Sequence, residues 1–102
     1  MDNIEVVFNE LKEKWNNETF LCSNSETIYG NIHYKQIILL GDDVIPLILK
    51  DWETSDNHWF NALEKITNQN PINPKNRGII KLMKKDWIDF LNNQPNLIYK
   101  KK

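Results

Sequence analysis

The chain has 102 residues, of which 40% are hydrophobic and 26% charged, with a formal net charge of −1 at pH 7. This length fits a single domain, and its single cysteine, Cys22, excludes an intrachain disulfide. No apolar stretch approaches the ~18 residues that cross a bilayer, and the acidic N-terminal residues do not resemble a secretory signal. We therefore expect a soluble, cytoplasmic protein.

Acidic and basic residues are separated along the chain. Residues 1–56 contain eleven Asp and Glu against four Lys, whereas residues 57–102 contain nine Lys and Arg against three Asp and Glu. The two halves therefore carry formal charges of −7 and +6. Such asymmetry bears on partners and association, not on the fold.

The first predicted helix spans residues 3–17. Its apolar residues recur at the spacing of one helical face: Ile4, Val7, Phe8, Leu11 and Trp15. After it, Phe20 and Leu21 break the pattern, and we expect both to tuck under a loop.

The second predicted helix spans residues 26–40, with an interruption expected near Gly30 and Asn31. Residues 23–25 offer caps for its start, and Gly41 lies where a positive φ ends a helix. Its buried side is expected to consist of isoleucines and leucines: Ile28, Ile32, Ile37, Ile38, Leu39 and Leu40.

The third predicted helix spans residues 44–52, with Pro46 in its first turn, where a missing N–H costs nothing. Asp42 or Asp43 is expected to cap it. A strand over residues 36–40 or 44–49 is the rival interpretation, because short apolar runs do not distinguish the two. The caps and the lack of hairpin turns favour helices.

The fourth predicted helix spans residues 58–67, with Asp56 or Asn57 as its cap. Its apolar positions are Trp59, Phe60, Ala62, Leu63 and Ile66. Since Trp59 and Phe60 are adjacent, we expect one of them to be partly exposed, where a tryptophan would suit partner binding.

The fifth predicted helix spans residues 74–92, with Asn73 as cap and Pro74 as first residue. Gly78 weakens its first turns and is expected where another backbone comes close. The core face is Ile79, Ile80, Met83, Trp87, Phe90 and Leu91. Residues 97–99 are expected to dock back onto the helices.

These elements predict an all-α fold, a compact bundle of about five helices. One domain is expected over residues 1–99, followed by a flexible basic tail, residues 100–102.

Residues 39–68 resemble one HEAT-type repeat. The residues that carry the resemblance are Gly41, Val44, Pro46, Leu47, Leu49, Asp56, Ala62, Leu63 and Ile66. His58 and Trp59 replace the basic residue usual early in the second helix of such a repeat. The resemblance implies a helical hairpin, and because one repeat cannot bury its face alone, the flanking helices are expected to complete the core.

Residues 10–90 also resemble a group of short bacterial proteins that has no established activity. The matching positions are Trp15, Glu18–Thr19, His33–Tyr34, Ile37–Ile38, Gly41, residues 44–49, His58–Leu63, Ile66–Thr67, Asn70–Pro71 and Trp87. The resemblance implies a helical fold and a microbial origin, and it supplies no catalytic residues.

No catalytic motif is evident in the sequence. His33 and His58 lack an accompanying cluster at zinc spacing, Cys22 lies in an acidic stretch without a base, and three scattered glycines form no phosphate-binding loop. We therefore expect no enzyme activity, no metal and no cofactor.

The preferred interpretation is a non-enzymatic protein–protein interaction module, such as an inhibitor, immunity or antitoxin-like protein of microbial or phage origin. Its partner would be a protein with a basic surface, attracted by complementary potential. The predicted partner-binding residues are Asp42, Asp43, Asp51, Glu53, Asp56, His58 and Trp59.

The alternative is a nucleic-acid-associated regulator that uses the basic fifth helix. Its predicted contacts are Arg77, Lys81, Lys84 and Lys85. Head-to-tail self-association of a dipolar chain is a further alternative.

Overall fold

The computed structural model describes residues 3–22 and 24–93 and is entirely helical in its regular structure over these residues. The predicted all-α fold is confirmed. The helices are α1 (Asn3–Thr19), α2 (Ser25–Gly30), α3 (Ile32–Leu39), α4 (Ile45–Trp52), α5 (Phe60–Thr67) and α6 (Ile80–Asn92). Two 3₁₀ turns, Gly41–Val44 and Pro74–Asn76, precede α4 and α6.

α1 buries Phe8 and Trp15 of the predicted stripe and adds Thr19 to it, whereas Val7 is 39% exposed. The Thr19 hydroxyl donates to the Trp15 carbonyl at 2.7 Å, so Thr19 rather than Phe20 faces inward. Phe20 and Leu21 are 75% and 86% exposed. The expectation that they tuck under a loop was wrong, because the turn after α1 directs both away from the core.

The predicted interruption of the second helix is confirmed and lies at Asn31. The Asn31 backbone is extended, with ψ 137°, and its side-chain oxygen accepts hydrogen bonds from the N–H groups of His33 and Tyr34. Asn31 therefore ends α2 and caps α3. Asn24 caps α2 in the same way, and Gly41 has the expected positive φ, 82°.

The expected caps of α4 and α5 were wrong. Asp42 and Asp43 lie inside the 3₁₀ turn, and the residue before α4 makes no side-chain cap. The residue before α5 makes none either. Instead, the Tyr34 hydroxyl of α3 accepts a hydrogen bond from the Ala62 N–H at 2.8 Å, within the first turn of α5.

The fifth predicted helix begins later than expected. Asn73 does act as a cap, but for the short 3₁₀ turn Pro74–Asn76. Gly78 follows with φ 88°, a conformation outside the helical region, and α6 begins at Ile80. Nothing lies within 4 Å of a Cβ placed on Gly78, so its positive φ, and not a close backbone, explains the glycine.

Aromatic side chains form the centre of the core. The Trp59 ring lies 5.4 Å from Phe8 and 4.9 Å from Trp15, whereas Phe60 packs 5.2 Å from Trp52. Both Trp59 and Phe60 are buried. The expectation that one would be exposed was wrong, because the start of α5 lies between α1 and α4, and each ring has its own neighbours.

α3 packs against both α1 and α5. The expected docking of residues 97–99 and the expected tail of residues 100–102 fall outside the described residues.

Candidate functional site

The acidic residues predicted to form one surface are divided by α4. Asp42 and Asp43 precede this helix, whereas Glu53 and Asp56 follow it. Its eight residues extend about 12 Å, so the two acidic groups lie at opposite ends. The chain therefore presents two small acidic groups in place of one continuous surface.

Asp51 belongs to the interior and to neither group. Its side chain is 7% exposed. One carboxylate oxygen accepts a hydrogen bond from Lys12 Nζ at 2.9 Å. The other accepts from Trp59 Nε1 at 2.8 Å, from Asn57 Nδ2 at 2.9 Å and from the Ser55 hydroxyl at 2.8 Å. Asp51 therefore holds the fold together and has no free oxygen for a partner.

Two opposing effects set the pKa of the Asp51 carboxyl. Burial by itself raises this pKa, because it disfavours the charged form. The hydrogen bonds from Trp59, Asn57, Lys12 and Ser55 outweigh burial, so the pKa lies below its usual value. Asp51 is thus a stably ionised carboxylate at neutral pH.

Trp59 is the second predicted partner-binding residue that lies in the interior. Its side chain is fully buried. Its indole N–H is used by Asp51. A rim tryptophan for partner binding is therefore not present at this position, because the ring fills the space between Phe8 and Trp15.

The group after α4 is partly neutralised. Asp56 is exposed and pairs with Lys84 at 3.0 Å. Glu53 is exposed. The exposed His58 ring lies nearly perpendicular to the Tyr29 ring, at 6.5 Å between centroids, and the His58 backbone carbonyl accepts a hydrogen bond from the Tyr34 hydroxyl.

The group before α4 combines charge with exposed apolar surface. Asp42 and Asp43 are exposed, and neither side chain makes an ion pair or hydrogen bond within the described residues. Leu39, three residues earlier, is 83% exposed, and Ile32, seven residues before Leu39, is 60% exposed. We call Ile32, Leu39, Asp42 and Asp43 the α3 surface.

The exposure of Leu39 and Ile32 corrects the sequence expectation, which placed both on a buried side. Residues 37–40 are four consecutive apolar residues, and consecutive positions on a helix point in four different directions, 100° apart. Ile37 takes the buried direction, so Leu39 points outward. This signal was available in the sequence, because a four-residue apolar run on a one-sided helix must leave some side chain in water.

The basic residues predicted for nucleic-acid binding do not form a uniform stripe. Arg77 lies before α6 and is exposed. Lys84 donates to the carbonyls of Trp52 and Ser55 and to Asp56. Lys85 pairs with Asp89 at 2.8 Å, and the hydrogen bond with Asp89 raises the pKa of Lys85. Of the four predicted contacts, only Lys81 and Arg77 have no acidic neighbour in an ion pair over the described part of the chain.

His33 and Glu18 form the main polar link between α1 and α3. His33 Nε2 lies 3.2 Å from Glu18 Oε2, and the Asn31 amide donates to Glu18 Oε1 at 2.9 Å. The hydrogen bond from Asn31 is the main cause that lowers the pKa of Glu18. Within residues 3–22 and 24–93, no group of three or more His, Cys, Asp or Glu side chains is arranged to hold a metal ion.

A groove of about 250 Å³ lies between α1 and α4. The charged residues that the two helices contribute to it pair with one another: Lys12 with Asp51 at 2.9 Å, and Lys50 with Glu5 at 3.9 Å. These side chains therefore neutralise each other within the groove.

Comparisons with protein-family models, curated protein sequences and solved structures found no match for this chain. None of the helices in the described part of the chain combines the length and apolar character needed to span a bilayer.

Proposed function

We propose that this chain is a non-enzymatic protein-binding module that contacts its partner through the α3 surface. The observation that carries the proposal is the exposure of Leu39 three and four residues before two exposed aspartates that make no ion pair within the described residues. Single exposed leucines are common on proteins. Here Leu39 shares a helical face with exposed Ile32, about 10 Å away along α3, and the acidic pair lies at one end of this ridge.

The chemistry of the α3 surface defines the kind of partner. Protein interfaces place apolar side chains at the centre and polar groups at the rim. An aliphatic ridge with two carboxylates at its end fits a partner with an apolar depression bordered by lysines or arginines. Complementary charge would speed the encounter. These properties suit an inhibitor, immunity or antitoxin-like protein, acting in the cytoplasm of a microbe.

The proposal is tested by site-specific capture. A photo-crosslinking residue replaces Gln36, which is exposed and lies between Ile32 and Leu39 in α3. A second sample carries the same residue at Leu82, an exposed leucine of α6. Proteins captured from a bacterial lysate are identified by mass spectrometry, and one enriched at Gln36 over Leu82 is then purified for binding measurements.

The binding measurement uses variants that leave the fold intact. Leu39→Ser is expected to weaken binding at least 10-fold. The double variant Asp42→Asn, Asp43→Asn is expected to weaken binding and reduce its dependence on salt, because the screened charges are gone. Leu82→Ser is the matched control and should bind like the original protein. Equal binding by Leu39→Ser, or equal capture at both crosslinking positions, would refute the proposal.

A further inference from the structure

A second groove lies along the flank of α6, opposite the turn that follows α4. Its volume is about 360 Å³. The residues that line it are Asp56, Ile80, Lys81, Lys84, Lys85 and Ile88. The two isoleucines are eight positions apart on α6, which corresponds to about 12 Å. The groove is therefore an apolar depression bordered by lysines.

The charge at the groove edge is positive in balance. Lys84 is 17% exposed and is occupied by Asp56 and two carbonyls. Lys85 is exposed and shares its charge with Asp89. Lys81 is exposed and has no partner in the described part of the chain. Three lysines therefore face two carboxylates, and the two exposed lysines lie four residues apart, on one side of α6.

This groove has the properties that the α3 surface requires of a partner. The aliphatic pair of the α3 surface is separated by about 10 Å, and the isoleucine pair of the groove by about 12 Å. Two aspartates end the α3 surface, and two exposed lysines border the groove. We propose that a second copy of this chain occupies the groove, with its Ile32 and Leu39 against Ile80 and Ile88 and its aspartates against Lys81 and Lys85. This inference rests on the proposed function, because it names the partner of the same surface.

The two surfaces are on different parts of one molecule. The α3 surface adjoins the start of α4, whereas Lys84 ties the groove to the carbonyl of Trp52, the last residue of α4. The contact therefore forms between copies, head to tail. Each bound copy keeps one unused surface, so such a contact either extends into a chain of copies or closes into a ring.

The groove suits a protein better than a nucleic acid. A phosphate backbone is bound by many cations that face it together, whereas only two of the lysines that line this groove, Lys81 and Lys85, are exposed. The apolar side chains of the groove offer phosphates neither charge nor hydrogen bonds, but they can pack against a leucine. A small, partly charged contact of this kind is expected to be weak and transient.

Analytical ultracentrifugation of the purified full chain over a broad concentration range tests the inference. The average mass is expected to rise with concentration in low salt and to fall back in about 0.5 M NaCl, where charges are strongly screened. Two variants each disable one surface: Leu39→Asp, and the double variant Lys81→Glu, Lys85→Glu. Each variant alone should associate at least 10-fold more weakly than the original chain and therefore remain largely monomeric. Leu82→Ser should associate like the original chain.

Mixing the two disabled variants gives the decisive result. Leu39→Asp retains an intact groove and the lysine variant retains an intact α3 surface, so a mixture should form one-to-one dimers and nothing larger. A mixture that stays monomeric, or an original chain that stays monomeric at every concentration, overturns the inference. Binding of a single-stranded oligonucleotide that is lost in the lysine variant would assign the groove to nucleic acid and would also overturn it.

The two proposals fail separately. A monomeric chain whose captured partner still depends on Leu39 would leave the proposed function standing without this inference. Copies that associate as described, with no other protein captured at Gln36, would leave the second copy as the partner.

Discussion

The carboxylate of Asp51 links three parts of the molecule. Its hydrogen bonds reach Lys12 in α1 and Asn57 and Trp59 before α5, while Asp51 itself belongs to α4. A buried charge is tolerated when its oxygens are satisfied, and removing part of such a network leaves the remaining groups unpaired.

Replacing Asp51 with Asn should lower the free energy of unfolding by about 2–4 kcal/mol. The neutral amide has one oxygen in place of two, and its NH₂ group faces donors. Urea unfolding at pH 7 measures the change. Asp56→Asn is the matched control, because Asp56 is exposed and makes one ion pair; a change below about 1 kcal/mol is expected there. Equal effects at both positions would contradict the central role of Asp51.

The stabilisation from Asp51 should also depend on pH. Its folded-state pKa is lowered, so the stabilisation is complete above the unfolded-state pKa, about 3.9, and is lost as the pH falls through the folded value. Asp51→Asn binds no proton at this position. The difference in unfolding free energy between the original protein and this variant should therefore shrink below about pH 4. Urea titrations at several pH values between 3 and 7 measure this difference. A difference in unfolding free energy that grows on acidification would contradict the lowered pKa of Asp51.

The sequence did not reveal that Asp51 is internal, because charged residues are usually exposed. Its partners lie 39 residues before it, at Lys12, and eight residues after it, at Trp59. These contacts exist only after α1 and the start of α5 have packed against α4. Residue-type patterns carry no information on such pairings.

At the scale of elements, the start of α5 is stabilised by a neighbouring helix. The Tyr34 hydroxyl donates to the His58 carbonyl and accepts from the Ala62 N–H, both at 2.8 Å. Burial raises the pKa of the Tyr34 phenol, so the proton stays available for the His58 carbonyl. The first N–H groups of a helix need an acceptor, and α3 provides it here.

Tyr34→Phe should therefore lower the free energy of unfolding by about 1–3 kcal/mol, because the Ala62 N–H and the His58 carbonyl lose their partner. Hydrogen exchange of the Ala62 amide should accelerate. Tyr29→Phe is the control, because the Tyr29 hydroxyl makes no hydrogen bond in the described structure. An unchanged Ala62 exchange rate in Tyr34→Phe would show that the hydroxyl does not cap α5.

Two glycines should respond to alanine in opposite directions. Gly41 has φ 82° and Gly30 is helical, while a Cβ at either position meets nothing within 4 Å. Gly41→Ala should cost about 1–2 kcal/mol, since alanine disfavours positive φ. Gly30→Ala should stabilise by about 0.5–1 kcal/mol. Urea unfolding gives both values, and the same sign for both would show that backbone conformation does not decide the effect.

Most helices could be predicted from the sequence, because apolar spacing and local caps such as Asn24 and Asn73 act over a few residues. The start of α6 was predicted too early. Gly78 interrupts the helix because its φ is positive, and the residue type alone does not fix that φ. The cap of α5 was missed since Tyr34 reaches it from 28 residues away. The likeness to a HEAT-type hairpin stays a prediction.

At the scale of the whole molecule, most ion pairs of the described residues join residues from the same half of the sequence. Among the ion pairs of the described residues, only Lys84–Asp56 joins the acidic half of the sequence to the basic half. The sequence therefore predicted the charge separation but not its arrangement in space. Asp51 is buried, and α4 separates the acidic pair that precedes it, Asp42 and Asp43, from Glu53 and Asp56, which follow it.

Lys84 also fixes α6 to the rest of the fold. Its Nζ donates to the carbonyls of Trp52 and Ser55 at 3.0 and 2.9 Å and lies 5.7 Å from the centroid of the Trp52 ring. Lys84→Met keeps the apolar stem but leaves both carbonyls without this donor. The free energy of unfolding should fall by about 1–3 kcal/mol, and amide exchange in α6 should accelerate more than in α3. Lys81→Met, at an exposed position with no partner among the described residues, should change stability by less than about 0.5 kcal/mol. If both variants unfold alike, α6 is held by Trp87 and Leu91 in the core, and the Lys84 contacts contribute nothing measurable.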